Sequence, residues 1–172
     1  MKRILIIGCS GAGKTTLALQ MADRLQLELI HLDKHYWHAG WVESNKADWQ
    51  ATATAFAERP EWVMDGNYGG TMDLRLQYAD TAIFLDFSTW RCLWRVIKRT
   101  VRYYGTSRPD MAEGCHERWD WSFLRYVAVY RSTRRAGVLE RLQRHQAHLD
   151  IHILPNPVAV QQFLTSLPSP SK

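Results

Sequence analysis

Short apolar runs alternate along this chain with longer segments of helical period. Residues 4–8, 27–33, 62–65, 81–86 and 151–154 are short, mostly apolar and bounded by Gly, Pro, Asp or Asn, and read as strands. Residues 15–25, 47–58, 72–78, 89–103, 119–135, 138–148 and 158–167 read as helices. Pro60 ends the second helix, and Gly137 is expected to separate the fifth from the sixth. Residues 105–114 are rich in breakers and read as a loop, and 168–172 as a frayed tail. Strands that alternate with helices predict an α/β fold of three layers, a five-stranded parallel sheet with helices on both faces. Such sheets bind ligands at the carboxyl ends of their strands, where this pattern puts Gly8, Asp33, Asp65 and Asp86.

The first of those ends carries a motif. Gly8-Cys9-Ser10-Gly11-Ala12-Gly13-Lys14-Thr15 is G-x-x-x-x-G-K-[ST], set between a strand and a helix as a phosphate-binding P-loop requires. Its glycines let the backbone curl round oxygen atoms, so that successive N–H groups and the helix amino terminus face an anion. Ser10, Gly11, Ala12, Gly13, Lys14, Thr15 and Thr16 are therefore expected to hold a nucleoside triphosphate, taken as ATP. Lys14 would reach the β- and γ-phosphates, and the Thr15 hydroxyl a Mg²⁺ ion. Asp65 is the natural second magnesium ligand. Asp33 is placed to orient or deprotonate an acceptor hydroxyl, and Asp86 competes for either role.

The 172 residues suffice for one domain, with an acceptor-binding region at about 34–60 and a mobile arginine lid at about 104–118. With 46% hydrophobic residues the chain is not of a disordered class, and no run reaches the ~18 apolar residues of a membrane span. Met1 leads straight into the first strand, so no secretory signal is expected. The three cysteines form no framework, which fits a reduced, cytoplasmic setting. His31, His35 and His38 lack a fourth ligand nearby, so no zinc site is expected. The aromatics of 35–41 either stack on a bound base or sugar or pack onto the core.

The net charge of +5 is unevenly spread. Residues 91–144 hold 13 of the 22 Lys+Arg and 5 of the 17 Asp+Glu, a local excess of +8. Arg91, Arg95, Arg99 and Arg102 fall on one helical face, opposite Leu93, Val96 and Ile97. Arg108 follows in the loop, with Gly105 and Gly114 as hinges. Arg95, Arg99 and Arg108 are expected to stabilise the phosphoryl group in flight. The basic segment is equally open to a nucleic-acid partner, although no recognised DNA- or RNA-reading motif accompanies it.

Together the P-loop, Leu32-Asp33-x-x-x-Trp37-x-x-Gly40-Trp41, Met64-Asp65-Gly66-Asn67-Tyr68 and Arg108-Pro109-Asp110-Met111-x-x-Gly114-Cys115-x-Glu117 resemble the DNA topology modulation proteins. These are P-loop proteins related to adenylate kinase. The resemblance spans residues 3 to about 130. It implies the nucleoside-monophosphate-kinase fold, ATP and Mg²⁺ as cofactors, and a phosphotransferase with an unidentified small-molecule acceptor. The alternative it implies is a nucleotide-switched DNA-binding or regulatory NTPase protein. In nucleotide kinases Asp-Gly continues Phe-Pro-Arg, whereas here Asn67-Tyr68 follows, so Arg75 is the candidate replacement for that acceptor arginine.

Overall fold

The fold was analysed in a computed structural model that describes residues 1–167; the tail expected at 168–172 lies outside the described residues. The strands β1 (Arg3–Gly8), β2 (Leu29–His31), β5 (Trp62–Asp65), β6 (Thr81–Leu85) and β7 (Asp150–Leu154) form one sheet. All its pairings are parallel, in the order β2-β5-β1-β6-β7. A small antiparallel hairpin, β3 (Trp37–His38) and β4 (Val42–Glu43), stands apart from it. The helices are α1 (Lys14–Leu25), α2 (Leu32–Tyr36), α3 (Lys46–Ala57), α4 (Gly69–Tyr78), α5 (Thr89–Tyr103), α6 (Trp121–Thr133), α7 (Arg135–His145) and α8 (Pro157–Ser166). Among the described residues no helix is long and apolar enough to cross a membrane.

Strand alternation divides the core in two. Ile4 and Ile6 of β1 face α1, α5, α6 and α8 through Leu17, Met21, Val96, Val127 and Phe163. Leu5 and Ile7 face the other way, onto Trp49 and Phe56 of α3, Met72 and Leu76 of α4, and Leu142 of α7. Because both faces are covered, the strands are apolar at nearly every position, which is why they were legible. The neighbours β1 and β5 send their following chain in opposite directions, so a crevice opens above them.

Several boundaries differ from expectation for definite reasons. The second strand is three residues long, because it pairs only with the short β5 and gives way to α2 at Leu32. Asp33 therefore sits in the first turn of a helix and not on a strand end. Helix α4 starts at Gly69, three residues early, around the side chain of Arg75. The break between α6 and α7 falls at Arg134, not Gly137, which is helical. Ser132 and Thr133 both donate hydroxyls back to the Val129 carbonyl there, competing with the helix's own amides. Helix α3 keeps its expected start through the Asn45 side chain, which accepts from the Asp48 amide.

Arg75 does not replace the acceptor arginine. It is fully buried, and its guanidinium donates to the carbonyls of Gly66, Asn67, Tyr68 and Thr71. Burial lowers its pKa, while the four carbonyls favour the charged form. Its work is to hold the turn between β5 and α4. Arg75→Met, which preserves much of the volume but leaves those carbonyls unpaired, should lower the free energy of unfolding by about 3 kcal/mol in urea titrations.

Candidate functional site

The carboxyl end of the sheet opens into one cleft of about 1450 Å³. Most residues singled out from the sequence as ligands or catalysts line it: Ser10 through Thr16, Asp33, Asp65, Arg95, Arg99 and Arg108. The P-loop forms its floor. Gly11 adopts φ +83°, and a Cβ there would lie 2.4 Å from the Cys92 carbonyl of α5. The loop can pass α5 that closely only without a side chain. Lys14 folds across the loop and donates to the carbonyls of Gly8 (3.1 Å) and Cys9 (3.3 Å).

Beneath the loop, Asp65 is 6% exposed and receives two donors. The Thr15 hydroxyl donates to Oδ2 at 2.8 Å, and His31 Nδ1 lies 2.7 Å from Oδ1. A carboxylate only accepts, so the proton of that second bond belongs to His31 Nδ1. The register of β2 against β5 sets His31 directly beside Asp65. Asn67 makes the other cross-strand tie. Its amide nitrogen donates to the Gly8 carbonyl (2.8 Å) while its oxygen accepts from the Gly8 amide (3.0 Å), joining the end of β5 to the start of the P-loop.

Asp33 looks into the cleft from the α2 side. The Tyr68 hydroxyl donates to its Oδ1 at 2.5 Å, and among the described residues Oδ2 has no hydrogen-bond donor. Burial raises the Asp33 carboxyl above its ordinary value; Tyr68, Lys14 and Arg108 oppose the rise, and Asp65 adds to it. Burial and the Asp33 carboxylate push the Tyr68 phenol upward, which keeps it the donor. Tyr68 itself packs on Tyr36 and on the buried Trp49, so the acceptor-side aromatics divide between two jobs. Tyr36 belongs to this packed cluster, whereas Trp37 and Trp41 line the cleft.

The arginines are not equivalent. On α5 the buried stripe is Cys92, Val96 and Thr100, so Arg95 and Arg99 stand at its edge and reach the cleft. Arg95 donates to the Ala12 carbonyl (3.2 Å) and lies over the Phe87 ring. Arg91 and Arg102, expected on the same cationic face, are exposed and do not line the cleft. Arg99 and Arg108 meet at Glu117, a buried acid with 6% of its side chain exposed. Glu117 Oε1 accepts from Thr100 (3.0 Å) and Arg99 (3.3 Å), and Oε2 sits 2.9 Å from Arg108 Nε. That last contact is an ion pair without hydrogen-bond alignment, so the Nε groups of both arginines remain buried without an aligned acceptor. Asp110 takes another arm of Arg108 at 3.0 Å.

The segment expected to be a loop runs past Gly114 and is stitched to the β3–β4 hairpin. The Gly40 amide donates to the Gly114 carbonyl (3.1 Å), Trp41 Nε1 to the His116 carbonyl (2.9 Å), and the Cys115 thiol to the His38 carbonyl (3.2 Å). Gly114 has φ +77°, and a Cβ on it would lie 2.8 Å from that of Ala39, so close approach is one reason for the glycine. Two bridges, Tyr104 with Glu117 and Ser107 with His116, hold the segment to itself.

Asp86 drops out of the chemistry. Arg131 and Arg135 bind its carboxylate just beyond the end of β6, and it does not line the cleft. Asp73 similarly takes Arg141 and Arg144, so much of the basic excess at 91–144 is spent on internal pairs. The loop after β7 contributes Pro157 to the cleft wall, while Asn156 caps α8. Of the histidines besides His31, His35 packs edge-on to Phe56 and His38 bonds Ser44.

Sequence reasoning gave no role to His31, Asn67, Tyr68 or Glu117. The first three flank recognised positions, but their partners lie across strands. Glu117 carried no signal beyond its place in the motif.

Solved structures share this architecture. Shikimate kinase from Acinetobacter baumannii, in complex with shikimate, superposes with a TM-score of 0.56 at 16% identity, covering 96% of this chain and 89% of that one. Shikimate kinase from Bacteroides thetaiotaomicron gives 0.53 at 17% identity, covering 95% and 94%. No family model matches the chain, and no curated protein matches it in sequence. The fold is that of the P-loop kinases of nucleoside-monophosphate-kinase type.

The tight passage of the P-loop beneath α5 has a measurable consequence. Gly11→Ala should cost about 2 kcal/mol of stability by chemical denaturation. The folded fraction should then show no rise in Tm on adding magnesium nucleotides, whereas the unaltered chain should.

Proposed function

We propose that this protein is an ATP- and Mg²⁺-dependent phosphotransferase acting on the hydroxyl of a small molecule. The observation that carries the proposal is convergence. A phosphate-binding loop, three arginines and a carboxylate with a free oxygen face one another across a single cleft. Similarity to the shikimate kinases supports the architecture, and because one of them was solved with shikimate bound, that hydroxy acid is the acceptor to try first.

Each residue then has a defined task. The loop amides and Lys14 hold the β- and γ-phosphates, Lys14 exchanging the Gly8 and Cys9 carbonyls for phosphate oxygens. Thr15 and Asp65 would hold magnesium: they are hard oxygen donors 2.8 Å apart at the foot of the loop, which suits that ion. Bound there, the ion supplies neutralisation of charge on the β- and γ-oxygens. Asp33 Oδ2 accepts the proton of the acceptor hydroxyl as its oxygen bonds to the γ-phosphorus and the bond to the ADP oxygen breaks. Arg95, Arg99 and Arg108 line the cleft, where their positive charge would stabilise the equatorial oxygens of the transferred group. The segment stitched over the cleft keeps water from the γ-phosphate.

The acceptor wall has its own character. Trp37 and Trp41 present flat apolar surface, and α4 opens towards the cleft at Gly69 and Gly70 with Arg134 and Arg141 on the same wall. This suits a ring compound carrying hydroxyls and an anionic group. A small acceptor is favoured over DNA because Asp73, Asp86 and Glu117 take up much of the basic segment's charge.

A phosphotransfer screen with labelled ATP tests the proposal, using shikimate, other hydroxy acids, nucleosides and nucleoside monophosphates with mass detection of products. ADP formed with no phosphorylated acceptor in any reaction would leave only a plain NTPase. Once an acceptor is found, Lys14→Ala should lower kcat/KM by at least about 10³-fold with an unchanged fold by circular dichroism. The rate should fall on acidification through the pKa of Asp33. Because burial raises that pKa, the acid limb should lie above the ordinary range of an aspartate. Asp33→Asn should cost about 10²-fold or more in kcat and flatten that limb, which a purely structural role would not do.

A further inference from the structure

Helix α5 has a third face that neither the core nor the cleft uses. At 100° per residue, Trp90, Trp94, Ile97 and Val101 lie within one narrow band, spaced four, three and four apart. Trp90 is 77% exposed, Trp94 60% and Val101 64%. Two indoles and a valine exposed to this degree leave roughly 400 Å² of apolar surface, in the size range of the largest, often functional, patch on a monomer. Beside this band, about 80° further round the helix, run Arg91, Lys98 and Arg102. All three are exposed, and among the described residues none makes an ion pair. Between Thr89 and Tyr103 there is no acidic residue.

We propose that this face of α5 docks on an anionic lipid surface, with the Trp90–Trp94–Val101 band in the interface and Arg91, Lys98 and Arg102 on lipid phosphates. Charge complementarity selects the occupant: three unpaired cations require an anionic partner, and tryptophan favours the boundary between headgroups and acyl chains. A second copy fits poorly. It would set two acid-free cationic bands near each other, over about half the area per partner of a standard interface. Nucleic acid fits poorly as well, because aliphatic Ile97 and Val101 offer no stacking plane and the cations form a separate band, not one interleaved with the rings. The band lies on the side of α5 away from Arg95 and Arg99, so docking leaves the cleft open to its substrates.

Co-sedimentation of the full chain with vesicles tests this directly. Vesicles of roughly one part phosphatidylglycerol to three parts phosphatidylcholine should carry the protein down, and more weakly at high salt; phosphatidylcholine alone should not. Trp90→Ser with Trp94→Ser should lower the partition coefficient at least about tenfold. Replacing Arg91, Lys98 and Arg102 by Gln should lower it about 100-fold. Both sets should keep the Tm and the nucleotide-induced rise in Tm, since none of these side chains is in the core or the cleft. Three results would each overturn the proposal: equal binding to neutral vesicles, no binding to either, or binding indifferent to both sets. So would a dimer in sedimentation velocity, or tight binding of a single-stranded oligonucleotide, that the tryptophan variants abolish.

Discussion

The seam between β1 and β5 is the constraint on which the site depends. In the proposed site the first glycine of the P-loop, Gly8, must be held in register with Asp65, and the two arrive on different strands fifty-seven residues apart in sequence. The Asn67 carboxamide closes that gap by matching both polar groups of Gly8 at once. Two hydrogen bonds in fixed geometry leave little freedom to either strand end. Arg75 then fixes the turn that carries Asn67, from beneath and through four carbonyls. Arg75 is thus part of the foundation of the cleft and not of its surface.

Charge follows the same economy of place. A basic excess concentrated between residues 91 and 144 looks from composition like a surface for polyanions. In space it is broken up by three acids, each holding two arginines: Asp86, Asp73 and Glu117. Only Glu117 does so within the cleft wall. It keeps two like charges close together at a small distance from where a transferred phosphoryl group would pass, and without it Arg99 and Arg108 would repel one another.

The fold was legible because the three central strands β1, β5 and β6 are buried on both faces and so are written in mostly apolar residues, and because the P-loop motif locates the first of them. The lining of the cleft was legible where residues lie in sequence on one loop, as Ser10 to Thr16 do. It blurred where position depends on a partner strand: Asp86 and Asp33 both follow apolar runs. Only the three-dimensional arrangement shows that Arg131 and Arg135 claim the first while the second turns into the crevice on a short helix. Spacing at i and i+4 grouped four arginines correctly on one side of α5. It could not tell which two stand at the rim of the buried stripe. Gly137 misled because a glycine in an exposed helix reads as a break, while two hydroxyls upstream made the real one.

The stitching of the 104–120 segment to the β3–β4 hairpin has a kinetic meaning under the proposed phosphotransfer. One short row of bonds among Gly40, Trp41, Cys115 and their partners ties together two of the segments that line the cleft. If nucleotide and acceptor both enter there, admission of either would strain the same clasp, and departure of either product would have to undo it. Such a shared gate would couple the residence times of two chemically unrelated molecules.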